Sequence, residues 1–422
     1  MQYVWQHRLL TQTDLVTVDG RRLNIIDPGR LNTDAGPDFF NAKVRIGEHL
    51  WVGDVEIHVR ASDWHRHGHD KDRAYDSVVL HVVDRDDVKV CRSNGEVIPQ
   101  MLLRCSPDFH LRYHELVDRA DIDLPCASEL PSVAFIHVSD WLTSLAYERV
   151  YSKTDRIEEF LKLYSGDWEQ TCYVILARAL GFGTNSEPME RLAMSLPLYF
   201  LRKHSDSLTA IEALLFGQGG FLEKAPDSDP YVGELVMEHR FFAHKFSLKP
   251  LQPLGWKMAR MRPHNFPHRR IALLARIVTS DSRLVSRIVK SSSVDELREI
   301  FSEPLTGYWA NHFTFGPGSE RSYESMSRSS VDILLINVAI PVMVAYGTLH
   351  GDDALTERAV GLLHEIPAES NSIVSLFVRA GLPCKDAFTS QALIHLRRNY
   401  CETRKCLYCR LGHRLLSARA RR

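Results

Sequence analysis

Apolar and polar positions change rhythm partway along the chain. Before about residue 120 they alternate, which is the side-chain period of a strand. Leu15-Val16-Thr17-Val18, then Asp19-Gly20, then a second alternating run over residues 21–26 predicts a hairpin with Asp-Gly as its turn. Further strands are expected over residues 42–46, 50–59, 78–83 and 88–91, and Asn94-Gly95 marks a second turn before Val97-Ile98. Beyond Pro131 the spacing becomes helical. Ile157, Phe160, Leu161 and Tyr164 form one stripe, and Leu208, Ile211 and Leu215 form another. Ser293-Val294-Asp295-Glu296 has the spacing of a capping box ahead of Leu297, Ile300 and Phe301. The pattern predicts an α+β protein. A β-rich domain is expected over residues 1–128 and a larger all-α domain over 129–383, with a cysteine-rich tail, 384–422, packed on the helices. The segment from Asp123 to Pro131, with Pro125 and Cys126, reads as the boundary.

Composition adds bounds rather than identity. With 422 residues, 44% hydrophobic and 25% charged, the chain can bury two or three cores, so disordered and collagen-like classes are excluded. Lys+Arg 52 against Asp+Glu 53 gives a net charge of −1, so no global field draws it to nucleic acid or membrane. The average hides a local excess, because residues 397–422 hold nine Lys/Arg against the single acid Glu402. The N-terminus lacks the basic start and apolar run of a secretory signal. The longest apolar stretch, residues 333–346, is broken by Asn337 and Pro341 and falls short of the ~20 residues a span needs. A buried helix is expected there, in a cytoplasmic protein whose thiols are reduced or bound to metal.

The chemistry concentrates near residue 50. Along Trp51-Val52-Gly53-Asp54-Val55-Glu56-Ile57-His58-Val59-Arg60, strand alternation puts Trp51, Val55, Ile57 and Val59 on one face and Asp54, Glu56, His58 and Arg60 on the other. Asp38 ends the turn just upstream, and Lys43 lies on the polar face of the next strand. Asp63-Trp64-His65-Arg66-His67-Gly68-His69-Asp70 follows, then His81 inside an apolar strand. Six of the 20 histidines fall within residues 49–81, which points to a divalent metal. Asp38 and Glu56 would suit Mg²⁺ or Mn²⁺, with His58 and His81 as further ligands and Lys43 or His58 orienting a water. His65, His67, His69 and His81 suggest instead a zinc hydrolase on a small substrate. The metallo-β-lactamase signature, however, has an Asp before its third histidine, whereas Asp70 follows His69.

Gly36-Pro37-Asp38 and, after a spacing of 18, Glu56-Ile57-His58 resemble the arrangement of the PD-(D/E)xK nuclease superfamily. That resemblance implies a restriction-endonuclease-like core in which Asp38 and Glu56 hold the metal. The superfamily's Lys position is His58 here, so Lys43 would have to substitute, or His58 orient water itself. On a larger scale the chain resembles an uncharacterised Bacteroidetes-type bacterial family of unknown function. The shared phrases are Gly36-Pro37-Asp38-Phe39, Gly53-Asp54-Val55-Glu56-Ile57-His58, Leu80-His81-Val82-Val83, Arg262-Pro263-His264-Asn265-Phe266-Pro267 and the cysteine tail. No activity is implied by that second resemblance.

Two further segments bear on partners. Lys257, Arg260, Arg262, Arg269 and Arg270 are interleaved with Trp256 and Phe266, a composition that can grip phosphates while an aromatic stacks on a base. Cys401-x4-Cys406-x2-Cys409-x3-His413 has the short separations of a zinc site, with His413 or Cys384 as fourth ligand, or of an iron–sulfur cluster. Together these features point to a metal-dependent nuclease or phosphodiesterase acting on nucleic acid. A non-catalytic nucleic-acid or protein-binding module stiffened by zinc is the other reading.

Overall fold

The computed structural model describes residues 1–10, 14–105, 107–117, 123–226, 229–249, 251, 255–280 and 283–420. The chain forms two compact units: residues 1–141 with 397–422, and residues 142–396. The tail from Arg397 therefore groups with the sheet unit rather than with the helices, and the first unit extends past residue 128 to 141.

The first unit is built on a seven-stranded mixed sheet. Its strands are β1 (Leu15–Val16), β2 (Arg22–Asp27), β3 (Arg30–Leu31), β4 (Phe39–Ile46), β5 (His49–Arg60), β6 (Val78–Arg85) and β7 (Gln100–Leu102). The order is β1-β2-β4-β5-β6-β7, with β3 pairing β4. Neighbours are antiparallel up to β5, and β6 and β7 then run parallel to β5. The Asp-Gly turn forms as expected, with Gly20 at φ 85°. Residues 88–91 do not form a strand; Cys91 makes one isolated bridge to Val97 across the Asn94-Gly95 turn. Gln100 explains this, because its side chain takes the Val90 amide and the Val88 carbonyl at 3.0 Å each, bonds a ladder would otherwise use.

One sheet face carries the larger core, with Phe39, Ala42, Val44, Val55, Ile57, Leu80, Val82 and Met101. A parallel β5–β6 pair needs a crossover, and residues 61–77 supply it. They fold over the opposite face, where Ala61, Trp64, Val78, Val83 and Ile98 make a second core. Gly53 permits the close β5–β6 approach, since a Cβ there would stand 2.4 Å from the Val79 side chain and 2.6 Å from the Ser77 carbonyl oxygen.

The second unit is helical. Trp168–Leu180 packs on Ser186–Ser195, and Leu208–Gln218 packs on Pro230–Lys245 and Pro267–Ser280. Ser293 caps Val294–Phe301 by accepting from the Glu296 amide at 3.3 Å, while Glu296 reaches back to the Ser292 amide at 2.7 Å. The apolar stretch lies in a helix over residues 328–350 that is long and apolar enough to cross a membrane. Of its most apolar 18-residue window, 78% is buried inside the structure. A π turn over Leu335–Ala339 precedes Pro341, accommodating a residue that cannot donate to the helical ladder.

Candidate metal centre

On β5 the polar face is not solvated. Glu56 is 5% and His58 7% exposed, because the crossover lies over them with Trp64 wholly buried. Parallel pairing sets Glu56 beside His81 and His58 beside Val83. The helical turn over Asp63–Arg66 and the turns that follow it bring His67 and His69 to the same place. One ring nitrogen from each of His58, His67 and His69 lies within 4.8 Å of the other two. Glu56 Oε1 stands 3.4 Å from Nε2 of both His58 and His69. The ring of Tyr75 stacks on His69 at 3.7 Å, which fixes its plane. Val59, expected on the apolar face, is instead exposed.

The remaining expected ligands stand farther out. His81 is fully buried and sits behind His58, its Nε2 2.9 Å from His58 Nδ1. It does not face the other imidazoles' common point. For His58 Nε2 to be free as a ligand, Nδ1–H must donate to His81 Nε2, so His81 sets the His58 tautomer. Asp38 lies beside Glu56. Its amide donates to Glu56 Oε2 at 3.0 Å, and its carboxylate accepts from the Ile57 amide at 3.0 Å and from Gln2 Nε2 at 2.7 Å. Asp38 thus sits immediately before β4, the antiparallel neighbour of the strand that carries Glu56. Lys43 does not join them. It is exposed and pairs with Val52, four residues from Glu56 or roughly 13 Å of strand. His65 turns away to Asp70 at 3.4 Å.

Electrostatics match a site built for a cation. Burial and the neighbouring Asp38 push the Glu56 carboxyl up to about 8. Burial and the surrounding imidazoles push His58 down to about 4 and His81 down to about 3. The short Glu56–imidazole contacts are therefore between neutral groups near pH 7, not an ion pair. Three imidazoles with one carboxylate suit Zn²⁺ or another transition ion better than Mg²⁺.

These shifts predict a pH optimum for the metal-free protein. Glu56 binds its proton more tightly folded than unfolded, so stability is lost as pH rises from 4.5 toward 8. His58 and His81 hold theirs less tightly, so stability is lost as pH falls from 6.5 toward 4 and 3. Two imidazoles outweigh one carboxyl below 6.5, and above it only the carboxyl acts. Unfolding midpoints in chelator should peak near the unperturbed His value, about 6.5. Glu56→Gln should remove the alkaline decline, and an unaltered decline in that variant would refute the assignment.

A second cluster joins the tail to the boundary segment. The thiols of Cys126, Cys401, Cys406 and Cys409 lie near enough to influence one another electrostatically, although among the described residues only His58, His67 and His69 bring their ligand atoms within 4.8 Å of one another. Burial raises all of them, and neighbouring thiols add to it for Cys126, Cys401 and Cys406, with Cys126 pushed up to about 12. Buried thiols so raised are poor nucleophiles, and only a metal would make them thiolates. Neither expected fourth ligand is in the set. His413 Nδ1 meets the Tyr3 hydroxyl at 2.6 Å, and Cys384 belongs to the helical unit, on the Asp386 carbonyl. A π turn over Arg397–Cys401 orients Cys401, and Gly412 lets the last helix, Arg410–Ala420, abut the Cys406 carbonyl, where a Cβ would stand at 2.2 Å.

A cleft of about 760 Å³ in this unit is lined by His58 and Cys409 as well as by His7, His137, Arg410 and Arg414. In the helical unit the basic segment departs from expectation. Arg269 and Arg270 are each only 3% exposed, and Trp256 donates its indole N–H to the Gly219 carbonyl at 2.9 Å. Lys257, Arg260 and Arg262 are exposed. Among the described residues, no open stacking surface of the expected kind forms there.

Residues 1–372 match a family model described as a protein of unknown function, DUF2851, and the chain belongs to that family. No curated protein and no solved structure matches it.

Proposed function

We propose that this DUF2851 chain is a metal-dependent hydrolase of phosphodiester bonds, acting on nucleic acid. The observation that carries the reading is the convergence of Glu56, His58, His67 and His69, of which His58 also lines the cleft that presents Arg410 and Arg414. His58, His67 and His69 would hold a transition ion, with Glu56 as fourth donor or proton acceptor. Such an ion supplies a hydroxide at neutral pH and offsets charge developing on the phosphoryl oxygens. The chain's own groups do the rest. Glu56 carries its own proton near pH 7, so it would accept one from an attacking water only once a bound cation had displaced that proton. Asp38 holds Glu56 in place through its amide. Arg414 offers a cationic contact to a phosphate, and Arg410 would have to share its guanidinium with Asp140, 2.5 Å away on the same lining. The cleft has the volume of a small-ligand site, enough for a nucleotide or two.

The PD-(D/E)xK resemblance implies acids on adjacent strands; Glu56 lies on β5 and Asp38 just ahead of the neighbouring β4, which supports the resemblance only in part. Four thiols in one cluster support a structural zinc, with an iron–sulfur cluster as the other occupant. The test is cleavage of single- and double-stranded DNA and RNA by chelated protein reloaded with Zn²⁺, Mn²⁺ or Mg²⁺. Turnover with Zn²⁺ or Mn²⁺ that exceeds turnover with Mg²⁺ is expected. Salt-dependent binding with no turnover under any ion would leave the binding-module reading in its place.

A further inference from the structure

Arg270 is a buried cation that faces no anion among the described residues. It sits in the first turn of the helix Pro267–Ser280, beside Arg269, and is 3% exposed. Its guanidinium donates to Asn265 Oδ1 at 2.5 Å, points at the Met326 sulfur at 3.0 Å and stacks over the Phe182 ring at 4.2 Å. Its Nε is buried with no partner. Arg269 differs, since its donors are taken up by the carbonyls of Trp309, His312 and Tyr323, which tie down the 309–323 loop. Arg269 is thus structural, whereas Arg270 meets only a neutral amide and a thioether. A buried charge is ordinarily paired, because leaving water costs it several kcal/mol.

The space beside it is polar. Arg262, His264, Arg269 and Arg270 line a cavity of about 450 Å³ together with Ser327, Ser329 and Ser330. Glu324 is the acid on its lining, and one of its oxygens accepts from Ser322 at 3.0 Å. Three guanidinium groups against one rim carboxylate leave the cavity positive, and hydroxyls supply neutral donors. Guanidinium groups bind phosphate through forked, charge-assisted hydrogen bonds, and serine hydroxyls add single ones.

We propose that this cavity binds a phosphate monoester or inorganic phosphate, with Arg270 as its central contact and Glu324 limiting its affinity. The site lies wholly in the helical unit and does not depend on the hydrolytic reading. Phosphate neutralises the buried guanidinium, and the serines and Arg262 close on its remaining oxygens.

The experiment is thermal unfolding and calorimetric titration of the full chain with inorganic phosphate, against sodium chloride at matched ionic strength. Saturable stabilisation by phosphate is expected. Arg270→Met should weaken binding at least tenfold, and Glu324→Gln should tighten it several-fold. If Arg270→Met does not fold, the Glu324→Gln comparison decides alone, because unchanged affinity there overturns the proposal. Equal shifts in phosphate and chloride, or full phosphate affinity retained in Arg270→Met, also overturn it. A dinucleotide with and without a 5′-phosphate then identifies the source. A phosphorylated dinucleotide that binds more tightly than phosphate assigns the site to a nucleic-acid end, and the reverse order assigns it to free phosphate or a small ester.

Discussion

Glu56→Ala should abolish metal-dependent cleavage while leaving the fold intact. The carboxyl stands 3.4 Å from two of the three imidazoles and is the group through which Asp38 connects to them. Removing it takes away a donor and the candidate proton acceptor together. Metal catalysis supplies several kcal/mol of transition-state stabilisation, so the loss should be roughly 10³-fold or more. Folding should survive because the carboxyl is neutral near pH 7 and its removal strands no charge. The Asp38 amide is the one bond left unmade, and Glu56→Gln keeps it. Retained cleavage in both variants would remove the proposed site. His81→Ala should act more weakly, by about 10–100-fold in metal affinity, because it touches a ligand rather than the ion. Metal affinity of the wild type should rise with pH up to about 8, as the Glu56 proton becomes easier to displace.

Cys126→Ser should release the tail metal and unfold the tail. Cys126 interacts electrostatically with all three tail cysteines across about two thirds of the sequence, so its thiolate would complete a set of four sulfur ligands. A structural zinc contributes binding free energy of ~10–16 kcal/mol to the folded state, and loss of one ligand should cost several of these. The readouts are zinc per chain, expected to fall from one tail equivalent to near none, and faster proteolysis after Arg397. Cys384→Ser and His413→Ala should leave tail zinc unchanged. Zinc retained by Cys126→Ser but lost in His413→Ala would restore the ligand set expected from spacing alone. Iron with a visible chromophore in place of zinc would assign the cluster as iron–sulfur.

What the linear pattern carries and what it misses separate along physical lines. Local periodicity is a property of adjacent residues. The Asp-Gly hairpin, the alternation of β5 and the capping residues of 294–301 are therefore legible, and with them the α+β class. Clustering of histidines is also legible, and it locates the site to within one crossover. Its membership is not. His58, His67 and His69 meet because β5 and β6 run parallel, and the connection this demands is folded back over the polar face. No spacing rule says which imidazoles such a crossover turns inward. Spacing alone therefore groups His65 with His67 and His69, and it makes His81 a ligand rather than the partner of one.

Charge shows the same division. Arg269 and Arg270 read as surface cations because cations are usually solvated. Packing of the helix Pro267–Ser280 beside the 309–323 loop buries both. Cys126 is visible at the domain boundary but separate from the tail, since a ligand hundreds of residues away leaves no periodic trace. The amino-acid order thus specified elements, faces and candidate chemistry, which depend on neighbours in sequence. Which histidines converge, which charges are buried and the grouping of the tail with the sheet depend on neighbours in space, and only the tertiary structure decided them.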